Sequence, residues 1–242
     1  MQSTDRWLFV SDVDHTLVGD EEALAELSDR LRAAPWVTAV YNSSRPCASV
    51  RKTLAERPHM LTPAYLIGAL GTEIEVGDTG EPLVAYRDFL RQGWQRAQID
   101  AMMKEMGLLP HPDEFQTPFK ASYDVPSEAV YRQARERVET AELPARFIFS
   151  GGKNLDIIPP SAGKGSVIQF LHAWLNIPGQ QVVVSGDSGN DVDMFIPPFR
   201  GIIVGNADAD LRVLAGPHVY QAQARYAAGV LEGLQHWGVL SS

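Results

Sequence analysis

Trp7-Leu8-Phe9-Val10-Ser11-Asp12-Val13-Asp14-His15-Thr16 is an apolar run that breaks off into a polar turn holding two acids. Apolar residues in unbroken succession, without the alternation of a half-exposed strand, read as a strand covered on both faces, as in a parallel sheet. Open sheets of that kind bind ligands beyond the carboxyl ends of their strands, so the acids are expected in a ligand crevice. Downstream, 21–34 reads as a helix with Leu24, Leu27 and Leu31 on one buried face; 37–41 reads as a strand and 49–57 as a helix. The alternation returns late in the chain, with a helix over 166–175, a strand over 181–184, a short helix over 191–195 and a strand over 201–204. The fold class expected is α/β, with a doubly wound parallel-sheet core.

The middle of the chain has another rhythm. Helices are expected over 96–106 and 127–141, with Phe119 to Tyr123 and Arg146 to Phe149 alternating like half-buried strands, which together read as a small α+β insert. Turn formers bracket it, Gly77-Asp78-Thr79-Gly80 before and Pro159-Pro160-Ser161 after, a pattern suited to a two-stranded hinge. The expected division is a core of 1–79 and 160–242 and an inserted cap of 80–159.

Composition narrows the class. The 242 residues are 45% apolar and 21% charged, ordinary for a soluble domain able to bury its own core. Lys and Arg number 21 against 30 Asp and Glu, a formal net charge of −9, which is the wrong sign for a general nucleic-acid binder. An anionic ligand would need a metal or a few placed cations. Cys47 is the only cysteine, so no internal disulfide forms, and Met1 to Arg6 lacks the pattern of a secretion signal; a cytoplasmic location is expected. No apolar run reaches the roughly 18 residues of a membrane span, so no membrane partner is expected.

Four clusters carry chemistry, each at the end of an expected core strand or the start of a helix. The first is Asp12-Val13-Asp14-His15-Thr16, whose two carboxylates suit a division of labour. Phosphate monoesters are among the slowest substrates to hydrolyse in water, and a covalent aspartyl-phosphate splits the reaction into easier steps. Asp12 is the expected nucleophile and Asp14 the acid and base. Mg²⁺ suits such a site, because it takes oxygen ligands and is held by one or two carboxylates plus phosphate. The second cluster is Asn42-Ser43-Ser44-Arg45, where hydroxyls and backbone N–H groups would meet phosphoryl oxygens. The third is Gly163-Lys164-Gly165, an amine at a helix start placed to face both Asp12 and the phosphoryl group. The fourth is Gly186-Asp187-Ser188-Gly189-Asn190-Asp191, a glycine-bracketed acidic loop suited to a metal through Asp187 with Asp191 close by, and to phosphate through Asn190. Taken singly, an Asp-x-Asp pair also serves turns and helix caps; all four in this order point to a site.

In that order the clusters resemble the haloacid dehalogenase superfamily of phosphatases: Asp12/Asp14/Thr16, then Ser43, then Lys164, then Gly186-Asp187 to Asp191. The resemblance implies a Rossmann-like core, an α/β cap between the second and third motifs, and Mg²⁺ on Asp12, the Asp14 main-chain carbonyl and Asp187. Within the superfamily the chain is most similar to the sucrose-phosphatase branch, through Ser11 to Asp20, Gly71-Thr72-Glu73-Ile74, Pro118 to Tyr123, Asp156-Ile157-Ile158-Pro159 and Ser185 to Asp191. Asn42-Ser43 and Gly229 to Gly238 lean toward the sister mannosylfructose-phosphate phosphatases. His15, where many relatives carry Gly or Asn, and Ser44, where Gly is common, depart from the pattern.

The activity so implied is Mg²⁺-dependent hydrolysis of a phosphorylated disaccharide, sucrose-6-phosphate first and mannosylfructose phosphate second. Arg45, Thr72, Glu73, Lys120 and Asp156 are then the residues expected to bind the sugar, and the resemblance admits a sugar-phosphate synthase of the same pathway as a partner. Two competing readings stand beside it. A sugar phosphomutase would use the same nucleophile, and a non-catalytic sugar-binding module would keep the shape without the four polar clusters.

Overall fold

The computed structural model describes residues 6–241, so most of the Met1 to Arg6 stretch read for a secretion signal lies outside the described residues. Chain order runs β1 (Trp7–Ser11), α1 (Glu21–Arg32), β2 (Val37–Asn42), α2 (Cys47–Glu56), β3 (Tyr65–Gly68), β4 (Glu73–Val76), α3 (Val84–Arg91) and α4 (Arg96–Glu105). It continues through β5 (Leu109–Pro110), β6 (Ala121–Asp124), α5 (Glu128–Thr140), β7 (Arg146–Ser150), β8 (Asn154–Ile158) and α6 (Lys164–Trp174). The last elements are β9 (Val182–Gly186), a 3₁₀ turn over Gly189–Met194, β10 (Arg200–Ile203), α7 (Ala209–Arg212), β11 (Val219–Gln221) and α8 (Tyr226–His236). Among the described residues no helix is long and apolar enough to cross a membrane.

The larger sheet has seven strands in the order β11-β10-β9-β1-β2-β3-β4, and only β4 runs antiparallel to its neighbour. β1 is buried along its whole length between helical layers, which is why it needs no polar alternation. Strands leave it in both directions, toward β2 on one side and β9 on the other, so the crevice at its carboxyl end is the switch point of the sheet. α1 illustrates how local sequence sets an element: the Asp20 carboxylate accepts from the Glu22 and Ala23 amides, acids fill the first turn and arginines the last, and Leu24, Leu27 and Leu31 are buried as their spacing required.

The smaller sheet, β5-β6-β8-β7, is antiparallel throughout. Its alternation is strict. Ala121, Tyr123, Leu155 and Ile157 pack with Ile99, Met103, Ala134 and Val138 of α4 and α5 in a second apolar cluster. The opposite face carries Ser122 and Asp156, and Ile148 on that face packs against the larger core.

The insert begins later than its turn formers suggested. Gly77 to Gly80 is a turn within the larger unit: Val76 N–H donates to Glu81, Gly80 N–H to Val76, and the chain returns beside β4 through a Glu75–Pro82 bridge. α3 follows, an element the sequence reading left out. Its Tyr86 and Leu90 are wholly buried in the larger cluster, and Phe89 packs there with Phe170 of α6. Apolar packing thus carries the larger core through about residue 91, past the division expected at 79/80.

Candidate active site

Four chain segments meet in the crevice at the carboxyl ends of β1, β2 and β9. β1 delivers Asp12, whose amide donates to the Ser185 carbonyl at 3.0 Å and so continues the parallel ladder into the turn. His15 then takes φ 62, a left-handed conformation that Gly and Asn adopt more readily than a bulkier residue. That turn is held by Asn206, whose side-chain amide donates to the His15 carbonyl at 2.7 Å.

Lys164 is the hub. Its Nζ donates to Asp12 Oδ1 at 2.6 Å, to Asp191 Oδ1 at 2.7 Å and to Asn190 Oδ1 at 3.2 Å. Both carboxylate pairings are sealed from solvent. Asp191 is committed on its other side too, because Oδ2 accepts from the amides of Asp187 and Ser188 at 3.0 and 3.2 Å in a capping box that fixes the acidic loop. Asp187, half-buried, accepts from Thr16 Oγ at 3.2 Å, which joins the first and fourth clusters. Asn190 donates onward to Ser44 Oγ at 3.4 Å.

Carboxylate oxygens of Asp12, Asp187 and Asp191 lie within 4.8 Å of one another. Three acids against one ammonium leave an excess of negative charge in a buried space. Burial is the main reason the Asp12 carboxyl is pushed up to about 7; Lys164 opposes the shift, and the Asp191 and Asp187 charges add to it. Burial likewise raises Asp187, with Asp191 adding to the effect. Burial by itself pulls Lys164 down, but Asp12 and Asp191 outweigh it and hold the ammonium above its ordinary value. Such a donor set, oxygen-only and under-neutralised, fits a hard divalent cation.

Asp14 stands apart from this group. Its half-exposed carboxylate receives Arg45 Nε at 2.8 Å, while Arg45 Nη1 donates to Ser49 and Thr53 of α2. Arg45, read from the sequence as a sugar ligand, holds Asp14 through Nε, and its Nη2 is buried without a hydrogen-bond partner among the described residues. Ser43 is buried and its hydroxyl accepts from the Arg45 amide at 3.1 Å.

The remaining sugar candidates fall into two places away from Lys164. Thr72 shares its hydroxyl between the Ala69 carbonyl and Thr117, bridging the larger unit to the loop before β6, and Glu73 caps α2 by accepting from the Cys47 amide. Both line a cavity of about 200 Å³ with Arg87, Pro118 and Phe119. Lys120 and Asp156 meet on the open face of the smaller sheet: Lys120 Nζ is 3.1 Å from Asp156 Oδ1 and 2.7 Å from Ser122 Oγ, and Ser122 donates to the same Asp156 oxygen at 2.5 Å. They border a second cavity of about 420 Å³ with His111, Asp124 and Asn154.

Two residues at the site were given no role of their own by the sequence. Asn42 is fully buried and donates to the Lys164 carbonyl at 3.0 Å, so the second cluster orients the third. Arg146 reaches from β7 to Asp193 at 3.0 Å. Asn42 was visible inside its cluster as a polar residue ending an apolar strand; nothing local marks Arg146.

The sequence matches the model of the sucrose-6F-phosphate phosphohydrolase family over residues 5–238. It is 34% identical over 241 residues to a mannosylfructose-phosphate phosphatase of Agrobacterium fabrum (strain C58 / ATCC 33970), covering 96% of this chain and 97% of that one. Sucrose-phosphatase 1 of Nicotiana tabacum is 31% identical over 260 residues, covering 99% of this chain but 61% of the tobacco protein. The fold superposes on the sucrose-phosphatase of Synechocystis sp. PCC6803, solved with sucrose and phosphate, with a TM-score of 0.84 at 30% identity, over 98% of this chain and 100% of that one. With the four clusters joined around Lys164, these matches establish that the chain belongs to the sucrose-6F-phosphate phosphohydrolase family, within the haloacid dehalogenase superfamily.

Proposed function

We propose that this chain hydrolyses the phosphate ester of a disaccharide, with sucrose-6-phosphate the leading substrate. The observation that carries the reading is the buried contact of Lys164 with Asp12 and Asp191 at the sheet's switch point, together with a second sheet that bears Ser122 and Asp156 on the same face as Ile148, which packs against the larger core. A phosphoryl group needs the first of these features and a polyhydroxylated leaving group the second. Mannosylfructose phosphate is the second reading, favoured by the identity to the Agrobacterium protein across nearly its whole length.

In this mechanism the Asp12 carboxylate attacks phosphorus in line, the bond to the sugar oxygen breaks, and Asp14 supplies that oxygen with a proton. Asp14 then takes a proton from the water that attacks the aspartyl-phosphate, which releases phosphate and restores Asp12. Lys164 keeps its positive charge beside Asp12 throughout and offsets charge on the phosphoryl oxygens, with Ser43, Ser44 and Asn190 as further donors. Arg45 holds Asp14 clear of the acidic cluster until substrate arrives. Mg²⁺ would be held by Asp12, Asp187 and the Asp14 carbonyl, and when bound it neutralises developing negative charge. Asp191 serves this arrangement chiefly as the anchor of Lys164 and of the acidic loop.

The segment from about residue 92 to 159 acts as the cap that excludes water and reads the sugar, with Lys120 and Asp156 its central polar pair. Phosphate release is to be measured from both disaccharide phosphates and from simple hexose phosphates, with and without Mg²⁺. One disaccharide phosphate should lead, activity should need the metal, and Asp12→Asn should lower kcat by at least ~10³-fold. A preference for a monosaccharide ester would reject the disaccharide reading. Unchanged release from Asp12→Asn would reject the mechanism, and an isomeric sugar phosphate among the products would make the chain a mutase.

A further inference from the structure

Arg146 opens β7 in the smaller sheet, yet both its hydrogen bonds end in the larger unit. Nη2 donates to Asp193 Oδ2 at 3.0 Å and Nη1 to the Ala162 carbonyl at 3.3 Å. Ala162 stands just before Lys164 in the chain, and Asp193 just after Asp191. One guanidinium therefore spans the two segments that bring the buried amine to Asp191. Gly163 makes room for it: its φ is 128, and a Cβ there would lie 2.2 Å from Arg146 Nη1. The far loop is seated from the other side as well, since a Cβ on Gly165 would lie 1.9 Å from the Asp193 carbonyl oxygen.

The second Asp193 oxygen, Oδ1, is buried without a hydrogen-bond partner among the described residues. Arg146 is thus the group that compensates this carboxylate, and losing it leaves a poorly solvated charge that the loop relieves only by moving. At 39% and 32% side-chain exposure the pair contributes little to stability as an ion pair. Its leverage is geometric, because a shift of about 1 Å at a reacting group costs on the order of 10²-fold in rate. Arg146 also borders, with Ile148, Lys164, Asn190 and Asp193, a cleft of about 330 Å³ between the smaller sheet and the site.

We infer that Arg146 is a positioning residue: acting through Asp193 and the Ala162 carbonyl, it locks the loops of Lys164 and Asp191 together and does so from the cap, so that the site is fully ordered when the cap is seated. The inference rests on the phosphatase reading for its kinetic arm and on geometry alone for its structural arm.

The test is a double-mutant cycle of Arg146→Gln, Asp193→Asn and the double variant, with Arg146→Lys alongside. The readouts are kcat and KM on the preferred disaccharide phosphate, and amide hydrogen exchange over 162–165 and 187–194 in each protein. Each single variant should lower kcat by about 10- to 100-fold with KM within ~3-fold of wild type. Exchange should quicken in both segments, the double variant should be no worse than the worse single, and Arg146→Lys should recover part of the loss. A raised KM at constant kcat in Arg146→Gln, with Asp193→Asn like wild type, would make the guanidinium a substrate ligand and overturn the inference. Additive losses, or unchanged exchange in both segments, would overturn it too. If no sugar phosphate is turned over by the wild type, the function reading fails, while the exchange data still decide whether the bridge orders the loops.

Discussion

Asp12 is buried among two other carboxylates and one amine, and that environment sets its behaviour. Its folded-state carboxyl, pushed up to about 7, lies well above its ordinary 3.8, so the folded protein binds a proton there that the unfolded chain releases. The resulting stabilisation is complete below the ordinary value and is lost as pH rises through about 7. A cation beside Asp12 competes with that proton. The gain in melting temperature on adding Mg²⁺ should therefore be larger at pH 8 than at pH 6, and calorimetric titration at pH 6 should detect proton release that fades by pH 8. Equal gains at both pH values would separate the metal from Asp12. Arg45 carries a related lesson: placed next to Ser43 and Ser44, it reads as a ligand, yet its Nε and Nη1 go to Asp14, Ser49 and Thr53, which leaves only Nη2 without a partner among the described residues.

At the scale of elements, the site depends on how α6 meets the 3₁₀ turn over Gly189–Met194. Gly165 lies in the first turn of α6 at their closest approach, where a methyl group would come 1.9 Å from the Asp193 carbonyl oxygen. Backbone gives way less easily than a side chain, so Gly165→Ala should push the two elements apart. Overpacking of this kind costs about 1–3 kcal/mol. The variant should melt several degrees lower and lose kcat by more than its lower stability explains, since Lys164 moves with α6. A folded Gly165→Ala with wild-type kcat at roughly 20 °C below its melting point would mean that the contact does not hold the Lys164 amine in place.

The whole molecule joins two sheets with different work. The parallel one gathers charge at its switch point; the antiparallel one turns a face bearing Lys120, Ser122 and Asp156 away from its own helices. Lys120→Met keeps the stem that covers the sheet and removes the ammonium, while Asp156→Asn keeps the shape and removes the charge. Each should raise KM for the disaccharide phosphate about 10-fold or more and leave turnover of a small aryl phosphate within ~2-fold. Equal losses on both substrates would assign the pair to the stability of the sheet. Melting curves of both variants distinguish that outcome from unfolding.

Much of this was legible in the chain. An unbroken apolar run ending in acids and repeated strand and helix periods determined the α/β class and the parallel core, because burial and alternation leave their mark on neighbouring residues, and the four polar clusters at strand ends marked Asp12, Lys164, Asp187 and Asp191, which the fold brings together. α3 escaped because its eight residues are too few to establish a period, and Gly77 to Gly80 looked like a hinge although it closes a turn beside β4. Only the tertiary structure decided that Arg45 serves Asp14, that Asn42 holds the Lys164 carbonyl, and that Arg146 reaches Asp193. Those pairings join residues far apart in the chain or on different sheets. Their partners are set by how sheets and loops pack in space, and a sequence pattern records only what lies within a few residues.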